Sequence, residues 1–403
     1  MKVSIIGGGA SGMMAALSAA EDKNNTVTLL ERQNRVGRKL LATGNGRCNL
    51  TNLHAAPDRY HGTDPAFVRS ALTQFPVERT LEFFRELGLY TVAEDDGKIY
   101  PLSDQANSVV DVLRFGLEQR GVQVVTSQDV VSVGKKARGF FIATATGEQY
   151  YADKLILAAG GCAGKTLGGT RAGYKLLESL GHSCTELRPA LVQIKTAPDR
   201  VRSLKGVRAD AALTLKENGA VVARCEGEVQ FTEFGVSGPV AFALSRDVSV
   251  GTGEMLLLAD LLRTQEEEEI LAALLERCAR FPGLPAEHLL TGMLNTRLGQ
   301  AVVKFCDIPL SCPLSELDGV EKIAHALKFF PLPVEGVLGM EHAQVTVGGA
   351  STSEFRADTL ESRLRPGLFA TGEVLDIDGD CGGFNLQWAW SSGYVAGKLG
   401  VRP

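Results

Sequence analysis

An α/β fold whose parallel sheet draws on both ends of the chain is predicted by three observations. The chain opens on a short apolar run, "KVSII" (2–6), that breaks into "GGGASG" and then into helical composition. A second apolar run, "KLILAAGG" (154–161), ends in paired glycines, as suits a buried parallel strand whose carboxyl end meets a ligand. The same character returns at "GLFATGE" (367–373), after a long stretch of different texture.

Taken in order, "MMAALSAAE" gives the first helix and "TVTLL" a second strand that ends at Glu31, which makes a βαβ start. Helical patterns follow over 64–75 and 77–87, then a hairpin signal at "EDDGKIY". An amphipathic helix fits 105–120, with Val109, Val112, Leu113 and Leu117 on one side. "GFFIATAT" and "EQYYA" read as strands. From about 190, "ALTLKENGAVVARCEGEVQFT" alternates around an Asn-Gly turn, the pattern of antiparallel β structure. Prolines punctuate short helices from about 264 to 328, where Thr264 is expected to cap a helix whose first turn holds Glu266 to Glu269. The expected division is 1–190 and 336–403 as one α/β domain, with inserted β-rich (191–262) and helical (263–335) parts.

With 403 residues, 44% of them apolar, the chain can bury a large core. Its 47 acidic residues outnumber 42 Lys and Arg, a net charge of -5 that argues against a phosphate-binding surface, so nucleic acid is not an expected partner. Eight cysteines without a CxxC pair point to reduced thiols in the cytoplasm and to no metal site. No eighteen apolar residues run together, so no membrane span is expected. Oligomeric state is not legible.

Gly7, Gly9 and Gly12 form GxGxxG after a strand and before a helix, with Glu31 about twenty residues on. The first glycine permits the tight turn, the second lets backbone approach a pyrophosphate, and the third lets helix and strand pack closely. Ala10 and Ser11 open the helix at its positive end, where phosphates bind. Glu31 can accept from both hydroxyls of an adenosine ribose. Because the α/β pattern resumes at the far end, the expected dinucleotide is FAD, whose ring must be enclosed from several sides. There Gly372 lets a strand end approach the ligand, Asp376, Asp378 and Asp380 offer acceptors, and Gly382 and Gly383 bring backbone close. Asn385 and Leu386 start a helix whose amino end would stabilise negative charge on reduced flavin.

The loop "GRKLLATGNGRCNLTN" (37–52) gathers unusually many donors and acceptors. Arg38 and Lys39 are placed at the pyrophosphate or ribose, and Asn45, Arg47 and Asn49 at the ring edge, with Cys48 among them. Cys48 and Cys381 lack the spacing of a redox pair and are read as packed thiols. His54 and His61 follow this loop as possible acids. Tyr100, Arg47 and Arg171 are further candidates for holding a proton or an anion.

These motifs, together with "EFGVSGP", "QVTVGGAS" and "GLFATGEVLDIDGDCGGFNLQWAWSSG", resemble the BaiN and YhiN type of bacterial flavoprotein across nearly the whole chain. The resemblance implies an FAD domain built from both ends, a barrel-like insertion and a helical subdomain. It adds Arg32 to the cofactor contacts; Val130, Ala159, Gly160 and Glu373 complete the expected set. It leaves the direction of electron flow open, since members are linked to reduction of conjugated double bonds in oxidised bile acids and others to amine oxidation. The expected activity is a reductase of an activated alkene, with NAD(P)H as a transient co-substrate and a small hydrophobic molecule as substrate. An oxidase of amines or alcohols is the alternative, and an RNA-modifying or non-catalytic flavoprotein a second one.

Overall fold

The computed structural model describes residues 1–136 and 138–401. The chain divides into two compact units, Met1–Arg188 with Val345–Pro403, and Pro189–Gln344.

The first unit begins with β1 (Lys2–Ile6), α1 (Ala10–Ala19) and β2 (Thr26–Leu30). The two-residue β3 (Tyr60–His61), α2 (Ala106–Gln119), β4 (Gln123–Val125) and β5 (Lys154–Leu157) follow. After the second unit come β6 (Leu368–Ala370), β7 (Asp378–Gly379) and α3 (Phe384–Gly397). Strands β6, β5, β1, β2 and β4 lie in that order in one parallel sheet. The chain's last segment therefore joins the sheet that its first segment starts. Val3, Ile5, Leu29, Leu155, Ile156, Leu157, Leu368 and Phe369 are all buried. Such unbroken apolar runs are what a sheet covered on both faces requires.

Helix α3 closes the unit by lying hard against α1. A side chain added at Gly393 would meet Ser11 O at 2.5 Å, and one at Gly397 would meet Ala15 O at 2.5 Å. Close approach lets Ser18 Oγ donate to Tyr394 O at 2.7 Å. The helix is buried almost all round, which explains why its sequence shows no single apolar stripe.

The helical patterns at 64–75 and 77–87 are realised as a Pro65–Phe67 turn running into Val68–Gln74, and as Val77–Glu86. "EDDGKIY" joins the antiparallel pair Thr91–Ala93 and Lys98–Pro101. "GFFIATAT" and "EQYYA" form the pair Phe140–Thr144 and Gln149–Ala152.

In the second unit six antiparallel strands close into a barrel, with the long hairpin Arg208–Glu217 and Ala220–Phe231 turning at Asn218-Gly219. Both turn residues have positive φ, 50° and 85°, which an Asn-Gly pair tolerates. Three details of this unit differ from the sequence reading. The barrel's last strand, Phe330–Val337, follows the helices and straddles the expected boundary at 335. The helices Glu267–Arg280, Thr296–Phe305 and Val320–Lys328 share one hydrophobic core with the barrel, through Leu274, Val302 and Leu327 beside Leu213, Leu215 and Leu257, so 189–344 forms one unit. Thr264 does not cap the acidic helix. Glu266 does, in a reciprocal arrangement with Glu269 whose carboxylate accepts from Glu266 N at 3.2 Å.

Candidate functional site

The glycine turn after β1 is shaped by its own backbone. A Cβ at Gly12 would lie 1.8 Å from Gly7 O, and one at Gly7 2.3 Å from Ala158 O at the end of β5. Those two positions exclude side chains for reasons of packing alone. Gly9 is different: nothing lies within 4 Å of its absent Cβ, and no side chain caps α1. Its openness leaves the first-turn N–H groups of α1, including those of Ala10 and Ser11, facing free space, the arrangement that receives an anion. Gly160, after β5, has the same open surroundings.

Glu31 sits at the end of β2, with Oε2 accepting from Gly8 N and Oε1 from Gln33 N, both at 2.6 Å. The carboxylate is thus fixed beside the turn by two backbone donors, and each oxygen keeps a further lone pair for a ligand hydroxyl. Arg32 donates to Gly168 O at 2.9 Å and Arg38 to the Gln33 amide oxygen at 2.8 Å, so both flank this corner. Val130 is buried where its strand begins, and Ala159 packs against the Gly173 backbone.

Lys39 reaches across to the far segment of the chain. Its ammonium lies 2.7 Å from Glu373 Oε2, and Glu373 Oε1 accepts from Thr346 N at 2.9 Å. One residue earlier, Gly372 (φ 75°) lies so close to α1 that a Cβ there would meet Ser11 Oγ at 2.5 Å. Residues more than 330 positions apart in sequence are in this way brought to one place.

The loop 43–52 turns through left-handed conformations at Gly44, Asn45, Gly46 and Cys48 and then binds α3. Thr51 Oγ1 donates to Gln387 Oε1 at 2.6 Å, Trp390 Nε1 to Leu50 O at 2.8 Å, and Asn52 Nδ2 to Gly382 O at 2.9 Å. Gly383 caps α3 at φ 100°, and a Cβ there would lie 2.5 Å from Thr51 O and 2.8 Å from Asn49 Oδ1. Asn49 is buried, and its Oδ1 has no hydrogen-bond partner. A buried acceptor left alone costs on the order of 1–3 kcal/mol, so this oxygen beside a helix amino end is open to a donor from outside the protein.

Several expected ligand residues also make contacts within the protein. The Arg47 guanidinium stacks on Tyr100, 4.0 Å from the ring centroid, and pairs with Asp104 and with Glu94. Its charge is paired with those carboxylates. His54 is exposed and follows the Asn52 turn; Arg171 is exposed at the start of a short helix. Asp376 accepts from Thr63 Oγ1 at 2.6 Å, and the Asn385 amide clasps Gly379 at both its N (2.8 Å) and its O (2.7 Å). Leu386 is half-buried in the first turn of α3. Cys48 is fully buried, and desolvation pushes its thiol up to about 12, so it stays protonated and cannot exchange electrons as a thiolate.

The arrangement suits a long dinucleotide: open donors at α1, a fixed carboxylate at β2, and an unpartnered acceptor at the amino end of α3. Among the described residues no cluster of His, Cys, Asp and Glu could hold a metal, and no helix is long and apolar enough to cross a membrane.

The family model described as the HI0933-like protein Rossmann domain matches residues 1–399. A 3-dehydro-bile acid delta(4,6)-reductase of Clostridium scindens is 41% identical, the match covering 100% of both chains. A ribosomal RNA dihydrouridine synthase of Escherichia coli is 30% identical over 98% of this chain and 96% of that protein. The enzyme of the same name from Haemophilus influenzae is 27% identical over 97% of this chain and 96% of its own.

Proposed function

The chain belongs to the HI0933-like family of FAD-dependent Rossmann oxidoreductases, and we propose that it is an NAD(P)H-driven reductase of an activated carbon–carbon double bond. The observation that carries this reading is the full-length 41% identity to a delta(4,6)-reductase of 3-dehydro bile acids. The substrate class it favours is a small, hydrophobic, steroid-like enone. Dihydrouridine is likewise uridine with a carbonyl-conjugated double bond reduced, so the two names describe one kind of chemistry on two scaffolds. That agreement favours reduction over amine oxidation.

Bound FAD would supply two-electron redox chemistry between a nicotinamide and the alkene. The protein's own part begins at α1, whose first N–H groups would hold the diphosphate while the bare Gly9 would let it come close. Glu31, fixed by Gly8 N and Gln33 N, presents its remaining lone pairs to the ribose hydroxyls. Lys39 adds positive charge, moderated by Glu373. Asn49 Oδ1 would accept an N–H from the ring, and the amino end of α3 would favour negative charge beside it.

A second reading, uridine in ribosomal RNA as substrate, is supported by the 30% identity over nearly the whole chain. The net charge of -5 speaks for the small molecule. Anaerobic stopped-flow mixing separates these readings. Purified protein should be bleached by NADH or NADPH and not by amines, and a steroid 4-en-3-one should restore its colour faster than ribosomal RNA does. Bleaching by amines, with recolouring only by oxygen, would overturn the reductase.

A further inference from the structure

The reduction of an enone needs an acid, and the first unit holds three histidines that could serve. His54 is exposed on its turn. His182 is buried, its Nδ1 2.9 Å from Glu354 and its Nε2 3.0 Å from Ser362 Oγ, so both nitrogens are occupied. His61 differs from both. Its Nε2 lies 2.7 Å from Asp380 Oδ1, which leaves Nδ1 to face outward from the pair.

Asp380 is itself rigidly held. Its N donates to Arg59 O at 3.0 Å, its O accepts from Asn385 Nδ2 at 3.3 Å, and Arg59 Nη1 lies 3.6 Å from Oδ2. Strand β3 carries His61 directly opposite Asp378 of β7, and Gly62 presses on Asp376 O, where a Cβ would come within 2.2 Å. Three residues after Asp380, Gly383 caps α3 against the orphaned Asn49 Oδ1. The imidazole is therefore anchored to the turn that leads into that helix end. His61 and Asp380 side chains are each 34% exposed, so water can resupply a proton.

We propose that His61 is the proton donor of double-bond reduction and that Asp380 is its positioning residue, a role that rests on the reductase reading above. The hydride that originates on NAD(P)H forms a C–H bond at the β carbon of the enone, and the π pair moves onto the carbonyl as an enolate. The α carbon then takes the proton from Nδ1 of the imidazolium, that N–H bond breaking to leave neutral imidazole, which is reprotonated from water. The sum is enone plus NAD(P)H plus a proton giving the saturated ketone and NAD(P)⁺. Asp380 contacts the ring, Arg59 lies beside Asp380, Asp378 is the strand partner of His61, and Asp376 is bonded to Thr63 two residues on.

The test compares holoenzyme carrying H61Q or D380N with wild type. Expected in H61Q is a fall in enone turnover of roughly a hundredfold to ten-thousandfold. The step in which nicotinamide bleaches the protein should slow far less, and the pH profile of enone turnover should change shape. A readout independent of turnover is nitrogen NMR of labelled histidine. In wild type the neutral His61 ring should carry its hydrogen on Nε2, towards Asp380, and in D380N the two tautomers should mix. H61Q with wild-type enone turnover and pH profile, or a wild-type ring with its hydrogen on Nδ1, would overturn the dyad alone. A wild-type protein that no enone recolours would instead overturn the parent reading, and the dyad's role with it.

Discussion

Two helix amino ends, at α1 and at α3, are both capped by glycine, and they are built in opposite ways. The α1 end is local: Gly7, Gly9 and Gly12 lie within six residues, and the closest contact in the turn is between Gly12 and Gly7. The α3 end is assembled from a distance, with Gly383 pressed on Thr51 and Asn49, which precede it by more than 330 residues. A diphosphate needs only backbone donors, which a short motif supplies. A ring with distinct polar edges needs particular side chains in particular places, and only tertiary contact delivers those.

The largest effect is expected from G12V, because the added carbon would meet Gly7 O, a backbone atom that cannot yield, at 1.8 Å. A loss on the order of 3 kcal/mol and of most bound FAD should appear in thermal unfolding and in flavin content. If the variant kept both, the local end would not be the rigid half of the site.

N49L sharpens the contrast at the other end. Removing a buried acceptor without a partner should leave the FAD-free protein as stable or more so, while FAD binding weakens by about 1–3 kcal/mol, roughly tenfold to a hundredfold in Kd. Calorimetry on FAD-free and FAD-loaded protein reads the two effects separately, and a variant less stable without FAD would show that Asn49 serves packing instead.

Acidification tests the seam between the two chain segments, since His182 in the first bonds Glu354 and Ser362 in the second. Burial holds His182 below its ordinary value, so the unfolded chain takes up a proton that the folded one refuses, and stability falls as pH drops below about 6.5. Glu354 is also held below its usual range, by hydrogen bonds from Ser183 and His182 that outweigh its desolvation, and its contribution is lost at lower pH still, as pH falls through its folded value. Urea midpoints measured from pH 7 downward should decline in wild type and decline less in H182Q.

The smallest effect is expected from K39M. Lys39 and Glu373 are 30% and 20% exposed, and pairs of that kind contribute under about 1 kcal/mol. A larger loss in urea unfolding would mean that this single ion pair, and not strand pairing, holds the far segment in place.

What was legible in the sequence follows the same division. The β1 turn, Glu31 and the buried strands announce themselves through spacing and unbroken apolar runs, and the late return of α/β texture gave away β6. The Lys39–Glu373 pair, the unpartnered Asn49 oxygen and the His61–Asp380 pair carry no local signal, because each joins or faces positions over 300 residues apart. The contacts of Arg47 were not legible either, because a guanidinium in a glycine-rich loop looks the same whether it awaits an anion or already lies on Tyr100 between Glu94 and Asp104. The core that the helices share with the barrel was not legible, because no composition window reveals which elements bury one another.

The most direct measurement is a crystal structure of the FAD complex. The diphosphate should lie on the N–H groups of Ala10 and Ser11, and an imide N–H of the ring should meet Asn49 Oδ1 beside Gly383. A ring bound elsewhere, with Asn49 still unpartnered, would contradict the idea that one dinucleotide spans both helix ends.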